Sequence, residues 1–210
     1  DLIRQHIGWN KRLMMDANGV WDVKTAKERM ILLKKYEPYW IEEPTHPDDV
    51  IGHLEIKDKI YPVKVATGEQ CPNKIMFKQF LQSKALSILQ TDINRLAGLN
   101  EWFIVALMAK KYGIPVCIHA GGIGLCQMAA HLAAIDYICI ANSTEDRLTE
   151  YVDHLQEHFI NPVSIKNGNY LLPTALGFGL EIKNETIKKY TFPNGSFWDN
   201  NNKKWWNKNF

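Results

Sequence analysis

The sequence predicts an α/β protein made of successive βα units of a TIM-type (β/α) barrel. Short apolar runs end in residues that can take part in chemistry, four acids and one histidine: Asp16, Glu42, Glu69, Asp92 and His119. The intervals between them are 26, 27, 23 and 27 residues, close to the length of one strand, one helix and two turns. Repeated βα units bring the carboxyl ends of parallel strands to one face of a barrel, which is where active sites form.

The strand candidates are short, mostly apolar segments bounded by turn residues, as expected for strands buried on both faces. They are Arg12 to Met15, Pro38 to Ile41, Val63 to Thr67, Ser87 to Gln90, Pro115 to Ile118 and Asp136 to Ala141. Helical patterns lie between them, one capped by Asp22 and another ending at Gly113. A last barrel helix is predicted from about Thr144 to Phe159. Because a closed barrel has eight strands, the six candidates predict its six C-terminal βα units.

The composition changes after the last predicted barrel helix. Short extended pieces with Gly and Pro turns follow Ile160, which predicts a barrel domain at residues 1–159 and a C-terminal extension at 160–210. We expect the extension to lie against something outside the barrel. The segment from Trp198 to Trp206 is rich in Asn and Lys without an apolar period, which predicts a loose terminus.

Composition excludes several classes of partner. The net charge is +2 without a basic block, so nucleic acid is not expected as a partner. No apolar run approaches the roughly 18 residues of a membrane span, so we expect no membrane partner. The four cysteines show no CxxC spacing, and Cys117 and Cys139 lie in apolar runs. Buried, reduced thiols predict an intracellular protein, mitochondrial or cytoplasmic.

Three acids predict a metal site. Asp16, Glu42 and Glu69 end successive predicted strands, so their side chains can converge at one face of the barrel. Carboxylate oxygens are the ligands that Mg²⁺ prefers. Glu43 competes with Glu42 for this role, because adjacent strand residues face opposite ways.

Asp92 and His119 end the next two predicted strands and can form a hydrogen-bonded pair. A carboxylate on one imidazole nitrogen fixes the tautomer and raises the pKa of the ring, leaving the other nitrogen to transfer a proton. Gly121 and Gly122 follow closely, where backbone can approach a ligand. The pair therefore predicts a catalytic acid or base.

The segments that contain these residues resemble the enolase superfamily, and within it the mandelate racemase-like acid-sugar dehydratases. The matching segments are Met15-Asp16-Ala17-Asn18, Trp40-Ile41-Glu42-Glu43-Pro44, Ala66-Thr67-Gly68-Glu69-Gln70, Gln90-Thr91-Asp92 and His119-Ala120-Gly121-Gly122. Two further segments, at residues 122–126 and 150–155, are similar to the L-fuconate dehydratase group.

The resemblance implies a reaction and assigns roles. Asp16, Glu42 and Glu69 would bind Mg²⁺, which selects Glu42 over Glu43. His119, oriented by Asp92, would be the general acid in the dehydration of a small sugar acid, L-fuconate to 2-keto-3-deoxy-L-fuconate, through an enediolate intermediate. Asn18 and Glu150 would bind the substrate, although Glu150 falls inside the predicted helix and Glu145 lies nearer the preceding predicted strand. The resemblance also implies that the C-terminal extension packs on a capping domain outside this sequence. We further allow for a homo-oligomer.

One element of the family pattern is not found in these 210 residues. Family members carry a Lys-x-Lys motif with the catalytic base on the strand before the Asp16 strand, and Lys11 and Arg12 do not fit that role. Ile118 also stands where close relatives tend to have Pro. The alternatives are therefore another acid-sugar dehydratase or an epimerase, or an inactive metal-binding or interaction protein.

Overall fold

The structure is a computed structural model that describes residues 1–122 and 124–198. The predicted loose terminus falls almost wholly in residues 199–210, which lie outside the described residues. The chain divides into two compact units. The first contains residues 1–120 and 132–150, and the second contains the described parts of 121–131 and 151–210.

A five-stranded, all-parallel sheet forms the centre of the first unit, in the order β1 to β5. The strands are β1 (Leu13–Asp16), β2 (Pro38–Glu42), β3 (Lys64–Thr67), β4 (Ile88–Thr91) and β5 (Val116–Ile118). The helices that precede or connect them are α1 (Leu2–Ile7), α2 (Val23–Leu33), α3 (Val50–Ile60), α4 (Lys74–Ser83) and α5 (Leu99–Tyr112). Strand and helix alternate throughout, which confirms the predicted partial TIM-type barrel.

Local sequence signals explain where these helices begin and end. The Asp22 carboxylate accepts a hydrogen bond from the Thr25 backbone N–H at the start of α2. The Asn73 side chain caps α4 in the same way. Gly113 adopts a left-handed conformation, φ 68°, and ends α5 as predicted.

The core of the first unit lies between the sheet and its helices. Its largest buried side chains include Met30, Ile56, Phe77, Phe80 and Trp102. Trp102 also donates a hydrogen bond from Nε1 to Oγ1 of Thr91 at 3.0 Å, which satisfies its buried N–H and joins α5 to β4. This packing fixes the carboxyl ends of the strands.

The prediction of a sixth strand from Asp136 to Ala141 is wrong. These residues form a π-helix that continues directly from α6 (Leu125–Ile135). An apolar run of this length fits a strand and a helix equally well. In the observed helix, the Asp136 carboxylate accepts a hydrogen bond from Arg147 Nε at 2.6 Å. Cys139, expected to be buried in that strand, is exposed, whereas Cys71, Cys117 and Cys126 are buried.

A different segment extends the sheet beyond β5. Thr149 forms a single parallel bridge with Ile118. The Ile118 N–H donates to the Leu148 carbonyl at 3.3 Å, and the Glu150 N–H donates to the Ile118 carbonyl at 3.1 Å. The predicted helix from Thr144 to Phe159 is therefore also wrong, and its middle runs alongside the sheet.

The second unit contains short elements joined by turns. They are a hairpin of β6 (Ile165–Lys166) and β7 (Asn169–Tyr170), the helix α7 (Asn184–Tyr190), and 3₁₀ turns at Gln156–His158 and Ser196–Trp198. The proposed division at residues 159 and 160 stays a prediction. In the described ranges, no helix is both long and apolar enough to cross a membrane.

Candidate active site

The first two candidate acids lie on neighbouring strands at matching positions. Asp16, the last residue of β1, is the register partner of Glu42, the last residue of β2. Asn18 holds the Asp16 carboxylate, because its backbone N–H donates to Oδ1 at 2.7 Å and its side-chain amide donates to Oδ2 at 3.3 Å. Asn18 thus orients an acid, and its predicted contact with substrate stays a prediction.

Glu42 lies in a field of negative charge. The Trp40 indole donates to its Oε2 at 3.2 Å. Burial raises the pKa of Glu42 to about 7, and the nearby charges of Asp16, Glu69 and Glu150 add to the shift. Asp16, Glu69 and Glu150 are therefore all near enough for their charges to act on Glu42.

Glu69 is positioned by an unusual backbone at Gly68. The φ of Gly68 is 134°, and a Cβ there would lie 2.2 Å from the Gln90 carbonyl oxygen and 2.7 Å from Phe77. Only glycine fits this turn, which directs the buried Glu69 side chain inward. Burial raises the pKa of Glu69, and the proximity of His119 partly offsets that rise.

His119 lies among three acids. Its Nδ1 is 3.1 Å from Oδ2 of Asp92, as predicted for the pair. On the other side of the ring, Nε2 is 3.4 Å from Oε2 of Glu69 and 3.6 Å from Oε2 of Glu150. Burial alone would lower the pKa of His119, but the Asp92 hydrogen bond and the surrounding charges raise it above its usual value. The imidazolium form is thereby favoured.

Glu150 reaches this site because the segment at 148–150 runs along β5. Its Oε2 accepts the backbone N–H of Ala120 at 2.7 Å. The helix predicted across Glu150 concealed this placement, which is a strand-end position like those of the other acids. Glu145 instead belongs to the loop that enters the segment.

The structure adds detail on Glu43, the competing candidate, and two residues that the sequence did not assign to the site. Glu43 is only 2% exposed, its Oε1 has no hydrogen-bond partner within residues 1–122 and 124–198, and burial raises its pKa to about 7. Gln70 donates to Glu69 Oε1 at 3.0 Å and accepts from Arg95. Arg95 Nε lies 3.7 Å from Asp92. Gln70 lies in a quoted motif, but its partner Arg95 carries no sequence signal of its own.

The acids fit a divalent cation by their chemistry. Within residues 1–122 and 124–198, no three His, Cys, Asp or Glu side chains form a ready-made metal cluster. Asp16, Glu42 and Glu69 are nevertheless close enough that the charges of Asp16 and Glu69 raise the pKa of Glu42. Carboxylates that repel one another are the kind of oxygen donor set that a hard divalent ion neutralises.

Known proteins share this fold and these segments. The enolase C-terminal domain-like family model matches residues 1–186. The crystal structure of human mitochondrial enolase superfamily member 1 superimposes with a TM-score of 0.90 at 52% identity, covering 94% of this chain and 45% of that one. L-galactonate dehydratase of Hypocrea jecorina is 46% identical over 196 residues, which are 91% of this chain and 43% of that protein.

A more distant structure contains ligands. L-talarate dehydratase from Polaromonas sp., complexed with Mg and L-glucarate, superimposes with a TM-score of 0.74 at 26% identity, covering 87% of this chain and 48% of that one. The chain therefore spans about half the length of the relatives that it matches. These likenesses confirm the resemblance found in the motifs.

Proposed function

The chain belongs to the enolase C-terminal domain-like family, and from that membership we propose that it forms the catalytic barrel portion of an Mg²⁺-dependent acid-sugar dehydratase. The observation that carries the proposal is the position of His119. Its Nδ1 contacts Asp92 at 3.1 Å, and its Nε2 lies beside Glu69 and Glu150. A proton donor next to the strand-end acids is what elimination of water from a sugar acid requires.

Asp16, Glu42 and Glu69 would hold the Mg²⁺. When bound, the ion would stabilise the negative charge that develops on the carboxylate oxygens of the substrate as the neighbouring proton leaves. Asn18 keeps the Asp16 carboxylate oriented, and the Trp40 indole does the same for Glu42. The chain's own residues thus prepare the ligands before substrate arrives.

His119 would protonate the departing hydroxyl. The carbon next to the substrate carboxylate loses its proton, the bond from the following carbon to its hydroxyl breaks, and His119 supplies the proton that makes the leaving group water. The resulting enol becomes the 2-keto-3-deoxy acid by a proton shift. Because Asp92 fixes the tautomer, Nε2 is the atom that delivers the proton.

Proton removal needs a base that these residues do not supply by position. Lys11 and Arg12 lie before β1, whereas the acids lie after the strands, so they occupy the opposite end of the sheet. We propose that the base comes from the part of the protein that corresponds to the other half of its relatives. Activity is accordingly proposed for the protein that contains this chain together with that part.

L-fuconate is the substrate that we propose. A relative that is 46% identical is named for L-galactonate, and L-fuconate is the 6-deoxy form of that acid, with the same configuration at the reacting carbons. Glu150 and Asn18 are the proposed substrate contacts, since both lie beside the acids.

The test is a comparison of sugar acids on the full-length protein with Mg²⁺. We expect a 2-keto-3-deoxy product, detected by trapping the ketone, with a higher kcat/KM for L-fuconate than for L-galactonate. A preference for L-galactonate would refute the L-fuconate assignment and leave the dehydratase. No keto acid from any member of a panel of acid sugars would refute the dehydratase itself.

A further inference from the structure

A basic cavity lies at the end of the sheet opposite the candidate active site. Its volume is about 520 Å³, and its lining includes residues that precede or begin β1, β2 and β3. Those that the argument uses are Arg4, Trp9, Lys11, Arg12, Lys34 and Lys64. Since the acids end the same strands, the two places are separated by the length of the sheet.

Arg4 supplies a buried positive charge beneath this cavity. Arg4 is only 2% exposed. Its guanidinium donates hydrogen bonds to the backbone carbonyls of Gly8, Lys11, Tyr36 and Glu37 at 2.8 to 3.1 Å. In the part of the chain that the structure describes, these hydrogen bonds all go to neutral oxygens. Arg4 thus satisfies its donors while its charge stays uncompensated by a carboxylate.

Arg12 and Lys64 share a single carboxylate. Arg12 lies 3.0 Å from Asp146 Oδ1, and Lys64 lies 2.7 Å from Asp146 Oδ2. Both cations also lie 4.3 Å from the centre of the Tyr39 ring. Two positive charges against one negative charge leave an excess, and the guanidinium of Arg12 has five N–H donors, of which Asp146 takes one.

Lys11 and Lys34 also line the cavity and add positive charge, and Glu37 lines it with a negative one. Lys34 Nζ donates to the Tyr61 carbonyl at 2.5 Å and keeps two further N–H donors. Positive charge therefore exceeds negative charge even when Glu37 and Asp146 are both counted. A concave, cationic site rich in guanidinium and ammonium donors matches the phosphate group, which carries nearly two charges and several acceptor oxygens. The exposed Trp9 ring beside it offers an apolar surface.

We propose that this cavity binds the phosphate group of a small molecule. Arg12, Lys11 and Lys34 contact the phosphate oxygens, and the Trp9 ring contacts the organic part. The site is independent of the dehydratase assignment, because it uses none of the strand-end acids. The protein thus binds a second ligand at the end of the sheet opposite the candidate active site.

The test measures binding of inorganic phosphate to the full-length protein by calorimetry, with a chelator present and chloride at matched ionic strength as the reference. We expect saturable binding at one site. The double variant Lys11→Gln/Arg12→Gln should bind about tenfold more weakly, since two charge-assisted contacts are lost. A control with the same charge change, Lys24→Gln/Lys78→Gln, should bind like the parent protein, because neither residue lines the cavity.

A single variant separates a loss of phosphate binding from a loss of folding. Lys11→Gln changes an exposed side chain and should weaken phosphate binding by about threefold while the thermal unfolding midpoint stays the same. Absence of saturable binding, or equal weakening in the Lys24→Gln/Lys78→Gln control, would overturn the proposal. Phenyl phosphate distinguishes the ligand's source: tighter binding that Trp9→Ala abolishes indicates an organic phosphate, whereas equal binding indicates free phosphate.

Discussion

Nδ1 of His119 lies 3.1 Å from Oδ2 of Asp92, across the carboxyl ends of β5 and β4. Because Asp92 can only accept when ionised, Nδ1 carries the hydrogen and donates it. The ring is thereby turned so that Nε2 faces Glu69 and Glu150. This one contact decides which atom of the imidazole can reach a substrate.

His119→Asn should abolish most of the dehydration while leaving Mg²⁺ binding intact. General acid catalysis contributes about 10²- to 10⁴-fold, so kcat should fall by that order. Asp92→Asn should give a smaller loss, because the imidazole stays but loses its orientation. Rates of keto acid formation, with Mg²⁺ affinity measured in parallel, provide the check. His6→Asn on α1 is the matched control, and retention of activity in His119→Asn would contradict the role.

Glu69→Gln should weaken Mg²⁺ binding by about 10- to 100-fold, since one charged oxygen donor is lost. Titration with Mg²⁺ followed by thermal unfolding measures this directly without any turnover. Glu55→Gln, on the exposed part of α3, is the control and should leave the affinity unchanged.

The same titration separates Glu42 from Glu43. Glu42→Gln should weaken binding as Glu69→Gln does, whereas Glu43→Gln should retain nearly the parent affinity. Burial raises the pKa of both groups to about 7, so ionisation behaviour does not distinguish them. The reverse result would assign the ligand role to Glu43.

Arg95→Met should lower kcat about tenfold, a loss typical of groups that orient a metal-ligating side chain. Arg95 hydrogen-bonds Gln70, which holds Glu69, and its Nε lies 3.7 Å from Asp92. Arg95→Lys should recover part of the rate, because a cation is restored near Asp92. Steady-state kinetics of the two variants test this, with Arg29→Met on α2 as the control. Equal losses in Arg95→Met and Arg95→Lys would argue against a role of the charge.

Gly68→Ala should destabilise the fold by several kcal/mol, because its Cβ would meet the Gln90 carbonyl at 2.2 Å. Gly113→Ala is the matched comparison. Gly113 also has a positive φ, 68°, but a Cβ there meets no atom of the described residues within 4 Å, so the substitution should cost only about 1 kcal/mol. Thermal unfolding midpoints of the two variants measure the difference. Similar midpoints would show that the loop before Glu69 shifts to accommodate the added methyl group, which would contradict the prediction.

His53 should make the fold less stable as the pH falls below about 6.5. It is fully buried, its Nδ1 donates to the Asp49 carbonyl at 2.7 Å, and its Nε2 has no hydrogen-bond partner among the residues that the structure describes. Burial lowers its pKa from 6.5. The unfolded chain therefore takes up a proton before the folded one does, and stability declines from pH 6.5 toward the lowered pKa, by at most about 1.4 kcal/mol per pH unit.

Unfolding measured from pH 7.5 to 5.5 tests this sign. His53→Gln should show a shallower decline than the parent protein, whatever its stability at neutral pH. His6→Gln is the control, since His6 is exposed on α1 and its charge is not among those that act on His53. Parallel curves for His53→Gln and the parent would contradict the prediction.

The sequence was sufficient to predict β1 to β5, because each combines an apolar run with turn residues and a polar strand end. It failed at Asp136 to Ala141, where the same apolar signal belongs to a π-helix. The true neighbour of β5 makes one bridge, at Thr149, and so has no strand-length pattern to detect. Site residues at strand ends were predicted for the same reason that the strands were.

Other parts of the site depend on tertiary contacts. Arg95 joins Gln70 to Asp92 only because the turn after β4 approaches the loop after β3. Trp40 acts on Glu42 through a side chain two residues earlier in β2. The Arg95 contacts follow from no spacing along one element and required the structure, whereas Trp40 and Glu42 share a face of β2 because strand side chains alternate.

The single bridge at Thr149 also bears on how such enzymes diverge. Glu150 is held beside His119 by a segment that makes two backbone hydrogen bonds to Ile118, and its own carboxylate accepts the Ala120 N–H. The five-stranded ladder does not depend on it. Under the proposed function, replacements in this segment would change the contact of Glu150 with the substrate. They would also change proton transfer, because the charge of Glu150 helps to raise the pKa of His119. Specificity and acid strength would therefore change together at this strand end.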